Sequence, residues 1–176
     1  MEMVLKIKEI QIENVNISNI EIKEGEILRI QFSNLKTYNS VLSKINSSDF
    51  DGNVTNVELW AEKNENLIFI ENWFNLYAKE DSFIKEMDLT GQEKFYELPR
   101  PYKNIICLKQ LLENKIPALI IGTAGMHFFN LRQTYSLLHS YLKDGGICIE
   151  MTYPLMNQNE LINILGVEPK VITIST

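Results

Sequence analysis

Between residues 4 and 22 aliphatic side chains recur against polar ones: Ile10, Ile12, Val15, Ile17, Ile20 and Ile22 stand among Glu, Asn, Ser and Lys. Alternation with short polar breaks predicts antiparallel strands that bury one face. Lys23-Glu24-Gly25 reads as a turn, and Glu26 to Phe32 as a more continuously apolar strand of the kind found inside a sheet. Ser33 to Thr37 is expected to be a loop, after which Val41, Leu42 and Ile45 fall at helical spacing over Asn39 to Ile45. Asp51-Gly52-Asn53 predicts a turn, and the alternation of Val54, Val57 and Leu59 a second strand region. Leu67 to Ile70 reads as a short buried strand, and Phe83, Met87 and the polar stretch to Lys94 as a short helix and connection. Leu98-Pro99-Arg100-Pro101 predicts a rigid loop, because prolines do not sit in a helix interior.

The second half is a strand–helix–strand unit. Ile105 to Asn114 leads into it as an amphipathic helix with Leu108, Leu111 and Leu112 on one face. Ala118 to Ile121 is the first strand, Leu131 to Lys143 the helix and Ile147 to Met151 the second strand. Leu131, Tyr135, Leu138 and Leu142 recur at three- and four-residue steps, and Gly145 is placed to close the helix. Two apolar strands joined by a helix should lie parallel. Glu160 to Leu165 adds a short helix and Lys170 to Ile174 a last strand. The class is α/β, in one domain spanning residues 1–176.

Composition narrows the setting. A chain of 176 residues with 45% hydrophobic content buries one substantial core. A net charge of −6 and a pI near 5.0 argue against nucleic acid as a partner. The alternating N-terminus has no continuous apolar core for a signal peptide. The apolar stretch from Ile116 to Phe129 is broken by Gly122 and Gly125 and is too short to span a bilayer. The expectation is a cytoplasmic protein, peripheral to the inner face of the membrane only through a partner. Cys107 and Cys148 sit among aliphatic residues and read as buried free thiols, and neither they nor His127 and His139 have metal-ligand spacing.

Four blocks in order carry a resemblance to the ATP-binding subunit of ABC transporters. Gly145 to Tyr153 parallels the family's Gly-Lys-Thr-Ile-Leu-Ile-Ser-Thr-His, which ends in the switch histidine. Asn130 to Leu138 resembles the segment after the family's Leu-Asp loop, with Phe129-Asn130 in the Leu-Asp places. Pro117 to Ile121 resembles the acid-bearing strand, and Glu21 to Ile30 the approach to the phosphate loop. The resemblance implies a reduced P-loop NTPase-like core with a mostly parallel sheet and an N-terminal antiparallel β subdomain. It also implies a helical subdomain shortened to something near residues 73–104.

The positions that would bind and cleave ATP are occupied by other residue types. A phosphate loop needs glycines so that backbone N–H groups wrap the phosphates, a lysine for the β and γ groups and a hydroxyl for Mg²⁺. Aligned on the following helix, Phe32, Leu35 and Thr37 stand where glycines belong, Tyr38 stands where the lysine does, and Asn39 follows. Lys36 reads as a solvated loop lysine in preference to a displaced substitute. The acid pair falls at Gly122-Thr123 or Thr123-Ala124, neither of which supplies a carboxylate. Asn72 is assigned to the γ-phosphate-sensing glutamine and Tyr153 to the switch histidine. The signature region near Leu98 to Tyr102 has no glycine pair, and its prolines remove two amide donors.

The resemblance therefore implies a non-catalytic subunit of a bacterial ABC-type transport complex, with no nucleotide, metal or other cofactor expected. A catalytic ABC ATPase, the membrane subunit, or both would be its partners, in a hetero- or homodimer. Candidate partner-contact residues are Trp73, Phe74 and Tyr77, which serve equally well as core, together with Arg100 and Asn130. The competing reading is a free-standing regulatory module on the same scaffold, binding a peptide or small molecule. An enzyme of another kind would draw on His127, Glu150 and Tyr153, whose spacing specifies no reaction.

Overall fold

The computed structural model describes residues 3–64, 93–153 and 158–175. The predicted alternation at the N-terminus forms a hairpin of two nine-residue strands, β1 (Val4–Ile12) and β2 (Val15–Lys23). Leu5, Ile7, Ile10, Val15, Ile17 and Ile22 fill its buried face. A two-residue strand, β4 (Phe50–Asp51), pairs with the other edge of β1 to give a small antiparallel sheet ordered β2-β1-β4. Within β2, Asn19 takes a left-handed φ of 58°, a conformation asparagine tolerates better than most side chains.

The second sheet has five parallel strands in the order β5-β6-β7-β3-β8. They are β3 (Ile27–Phe32), β5 (Thr55–Asn56), β6 (Ala118–Gly122), β7 (Ile147–Thr152) and β8 (Lys170–Ile174). The pleat of the central strands divides the core in two. Leu28, Ile30, Phe32, Ala118, Ile120, Ile147, Ile149 and Met151 pack with the hairpin and helix α1 (Leu35–Lys44). Ile27, Leu119, Ile121 and Cys148 face the other way, toward α2 (Val57–Asn64), α3 (Arg100–Glu113), α4 (Phe128–Lys143) and α5 (Gln158–Leu165). Burial on both faces is why these strands read as unbroken apolar runs.

Helix boundaries depart from the expectations in physically readable ways. The strand expected over Val54, Val57 and Leu59 ends at Asn56, and Val57 opens α2. Asn56 decides this. Its side-chain oxygen accepts from the Glu58 and Leu59 amides at 3.0 and 3.3 Å, an N-cap for α2. Its side-chain nitrogen donates to the Leu42 and Ile45 carbonyls at 3.0 and 3.3 Å, where α1 ends. One buried amide thus closes two helix termini. The rigid loop expected at Leu98 to Pro101 is instead the start of α3, with Pro99 at the cap and Pro101 in the first turn, where a missing N–H costs nothing. Helix α4 begins earlier than expected, at Phe128, and ends as predicted. Gly145 adopts φ 90°, and the Gly145 and Gly146 amides turn back to the Leu142 and Tyr141 carbonyls at 3.0 Å each.

The strand expected at Leu67 to Ile70 and the helix near Phe83 and Met87 lie outside the described residues, as does most of the segment 73–104. Its described part includes a 3-10 turn at Phe95–Glu97 and the first turn of α3, with Phe95 and Leu98 buried in the core. Removing the bridging amide tests the boundary argument. Asn56→Ala should cost about 2 kcal/mol, since it strips one cap and orphans buried carbonyls. In thermal unfolding that is a fall of roughly 4 to 8 °C; a melting temperature unchanged within about one degree would refute the double-cap role.

Candidate functional site

In open α/β sheets, ligand sites form outside the carboxyl ends of the strands. Here that edge is made by Phe32 to Asn34 at the end of β3, Gly122 to Ala124 at the end of β6 and Thr152-Tyr153 at the end of β7. The turn from β3 to α1 is only Ser33-Asn34. Asn34 caps α1 with its own side chain, whose oxygen accepts from the Lys36 and Thr37 amides at 2.8 and 3.3 Å. Those are donors that a bound phosphate would need at a helix N-terminus. The expected loop positions consequently lie on the helix: Leu35 and Lys36 exposed in its first turn, Thr37 half-buried, Tyr38 buried and Asn39 exposed.

Tyr38 fills the space beneath this turn. Its ring packs edge-on against Phe32, with centroids 5.8 Å apart. Its hydroxyl is buried without a well-aligned hydrogen-bond partner, although the Ala124 backbone lies near it. Burial, reinforced by the Glu58 carboxylate, pushes the phenol above its ordinary range. The end of β6 is equally crowded. A side chain on Gly122 would place its Cβ 2.4 Å from Leu42 Cδ2, 2.4 Å from the Tyr38 hydroxyl and 2.6 Å from Glu58 Oε1. Glycine here is demanded by the close approach of three neighbours. Glu58, which enters from the first turn of α2, forms an ion pair with Arg100 and accepts from Asn104 Nδ2 at 3.3 Å. Burial raises the Glu58 carboxyl above its usual range, and Arg100 opposes that shift.

One layer deeper lies a buried charged cluster. Arg29 and Glu150 are register partners on adjacent strands. Arg29 Nε donates to Glu150 Oε2 at 2.9 Å; Nη2 lies 2.9 Å from the same oxygen without a well-directed hydrogen. The other carboxylate oxygen accepts from Thr123 Oγ1 at 2.8 Å and from the Tyr135 hydroxyl at 2.5 Å. The Thr123 amide also donates to the Met151 carbonyl at 3.0 Å. Burial, and then the charge of Glu150, drives the Tyr135 phenol well up. This cluster ties three strands to α4, and both Glu150 oxygens are met from within it.

The predicted site residues are thus partly assembled and partly dispersed. Tyr38, Gly122 and Arg100 converge around Glu58, a residue the sequence reading passed over by treating its segment as strand. The signal for it was Asn56, a helix-capping residue type, with a carboxylate two residues on. Arg100, proposed as a partner contact, pairs with Glu58 and keeps its side chain 52% exposed, and Asn130, proposed likewise, is buried. Tyr153 is half-buried. Asn72, Trp73, Phe74 and Tyr77 lie outside the described residues. His127 is exposed at the cap of α4, and the described bonds of Glu150 go to Arg29, Thr123 and Tyr135. Among the described residues no group of three or more metal-ligating side chains is placed to hold an ion, and no helix is long and apolar enough to cross a membrane. Both cysteines are free and buried, with Cys107 pushed up to about 12 and Cys148 raised well above its ordinary range by burial.

With this geometry in hand, the chain can be set beside known proteins. No protein-family model matches it, and no curated protein does. Among solved structures it is similar in fold to a nucleotide-free ATP-binding cassette from an ABC transporter, with a TM-score of 0.56 at 9% identity, covering 99% of this chain and 88% of the other. It is similar also to the ADP conformation of MJ1267, an ATP-binding cassette of an ABC transporter, with a TM-score of 0.53 at 11% identity, covering 93% and 85%. The fold is therefore ABC ATPase-like: a parallel five-stranded sheet with a separate antiparallel sheet.

Two substitutions separate packing from charge at this edge. Tyr38→Phe removes an unpartnered buried hydroxyl and should leave stability unchanged or raise it by up to about 1 kcal/mol; a loss above that size would reveal a hydrogen bond worth keeping. Glu150→Gln leaves Arg29 buried without a counter-charge and should cost about 3–5 kcal/mol in urea unfolding. Replacing both, Arg29→Met with Glu150→Leu, should recover most of the loss, whereas a double mutant as unstable as the single would contradict the uncompensated-charge account.

Proposed function

We propose that this protein is a non-catalytic, ATPase-like subunit of a bacterial ABC-type transport complex. The observation that carries the reading is the two-residue turn between β3 and α1, whose helix amides are taken by Asn34. A nucleotide-binding turn leaves those donors open and lets its backbone approach the phosphates. Here an exposed Leu35 stands at the turn and the buried Tyr38 ring lies behind it. The replaced acid positions point the same way: Gly122 is hemmed in by three neighbours, and Thr123 is committed to Glu150. The likeness to ABC transporter cassettes supplies the fold; the step from fold to a transport complex is an analogy. On this reading the chain contributes architecture and pairs with a catalytic ATPase, with the membrane subunit, or with both.

Thermal unfolding with and without millimolar Mg-ATP tests it. A ligand of the native state at a hundredfold over its dissociation constant adds about 2.7 kcal/mol, or roughly 5 to 10 °C for a domain of this size. The expected result is no shift. A saturable rise of that size would overturn the proposal and make the chain a nucleotide sensor.

A further inference from the structure

Beside the crowded end of β6 lies a cavity of about 570 Å³, within the range of small-molecule sites. Three helices line it: Ser43 from α1, Glu58 and Glu62 from α2, and Arg100, Lys103 and Asn104 from α3. Ala61 and Phe95 add apolar surface. The charges decide what fits. Two carboxylates face two cations, so the lining sums to zero, and the Glu58–Arg100 ion pair joins the α2 side to the α3 side. Lys103 lies 5.8 Å over the Phe95 ring, which holds a cation beside the apolar floor. A lone anion entering here meets Glu58 and Glu62; a lone cation meets Arg100 and Lys103. A molecule carrying both charges a few ångströms apart satisfies both walls.

We propose that this cavity binds a small zwitterion of the α-amino-acid type. Its carboxylate would lie toward Lys103 and the open side of Arg100, its ammonium toward Glu62, and its apolar side chain on Phe95 and Ala61, with Arg100 and Asn104 keeping their bonds to Glu58. Glu58, only 14% exposed, is already met by Arg100 and Asn104, which leaves the exposed Glu62 as the carboxylate open to an ammonium group. The inference goes beyond the transport reading and does not depend on it, because the β3–α1 turn takes no part in the cavity's lining.

The test is thermal unfolding and calorimetric titration of the full chain with L-leucine, L-methionine and L-phenylalanine. N-acetyl-L-leucine, L-leucine amide, inorganic phosphate and putrescine serve as controls that carry charge of one sign only. At least one free amino acid should bind saturably, raising the melting temperature by about 3 to 6 °C at tenfold its dissociation constant. The one-sign compounds should bind at least about tenfold more weakly, and Lys103→Met should weaken the amino acid by a similar factor. Equal binding of the acetylated or amidated leucine would overturn the assignment, as would preferential binding of phosphate or putrescine, or no binding of any amino acid at millimolar concentration. The ligand controls use the unaltered protein, so the test survives a poorly folding variant. The Mg-ATP melt is scored separately, which keeps a failure here distinct from a failure of the transport reading.

Discussion

Two opposite charges placed opposite each other on adjacent buried strands constrain the rest of this molecule. Arg29 on β3 and Glu150 on β7 are register partners inside a sheet covered on both faces. Taking either charge out of water alone is costly, by several kcal/mol, and their attraction offsets that cost only when the remaining polar atoms are also met. Thr123 from the end of β6 and Tyr135 from α4 meet the second carboxylate oxygen. A one-residue slip of β3 against β7 would part the pair and send every apolar side chain of that strand to the wrong face. The cluster therefore fixes the order and register of three strands together with the seat of the helix that joins two of them.

That fixed frame sets what the strand ends are able to do. Thr123, at the end of β6, is drawn inward to hold Glu150. Gly122 leaves room only for Tyr38, Leu42 and Glu58. The amides at the start of α1 are capped by Asn34, which secures the helix at about 1 kcal/mol and closes the same donors to an anion. Helix stability and phosphate binding compete for those N–H groups, and in this chain the helix has them.

The sequence made the large features plain and the local ones obscure. Continuous aliphatic runs announced β3, β6 and β7 because those strands are buried on both faces, and Leu131, Tyr135, Leu138 and Leu142 announced α4 by their spacing. The hairpin followed from its alternation. Helix α2 was missed because Val54, Val57 and Leu59 fit an alternating reading of a segment whose structure is set by Asn56, through bonds to residues far back in α1. The first turn of α3 was missed because Pro99 and Pro101 deter a helix everywhere except at its start. Arg29 and Glu150 interrupt two apolar runs with opposite signs, a hint of pairing that becomes decisive only once strand order is known. Glu58 was marked only by its place two residues after Asn56, since its role comes from Gly122, Arg100 and Asn104, all distant in the chain.

A shared fold leaves open which chemistry its edges carry, and here the electrostatics of one edge have a consistent sense. Glu58 places a carboxylate over the end of β6, where an approaching phosphate would meet like charge. Arg100, the cation best placed to soften that repulsion, is already bound to Glu58. The same carboxylate that disfavours an anion at the strand ends supplies one wall of the neighbouring cavity, and the same arginine supplies part of the opposite wall. Disfavouring an anion at the end of β6 and building a neutral, mixed-charge cavity beside it are thus two consequences of one placement. Asn56 sets it, by starting α2 where it does and bringing Glu58 into the first turn. Moving that helix start by a residue or two would swing Glu58 away from Gly122 and Arg100 together, so the site's charge pattern is inherited from a helix cap.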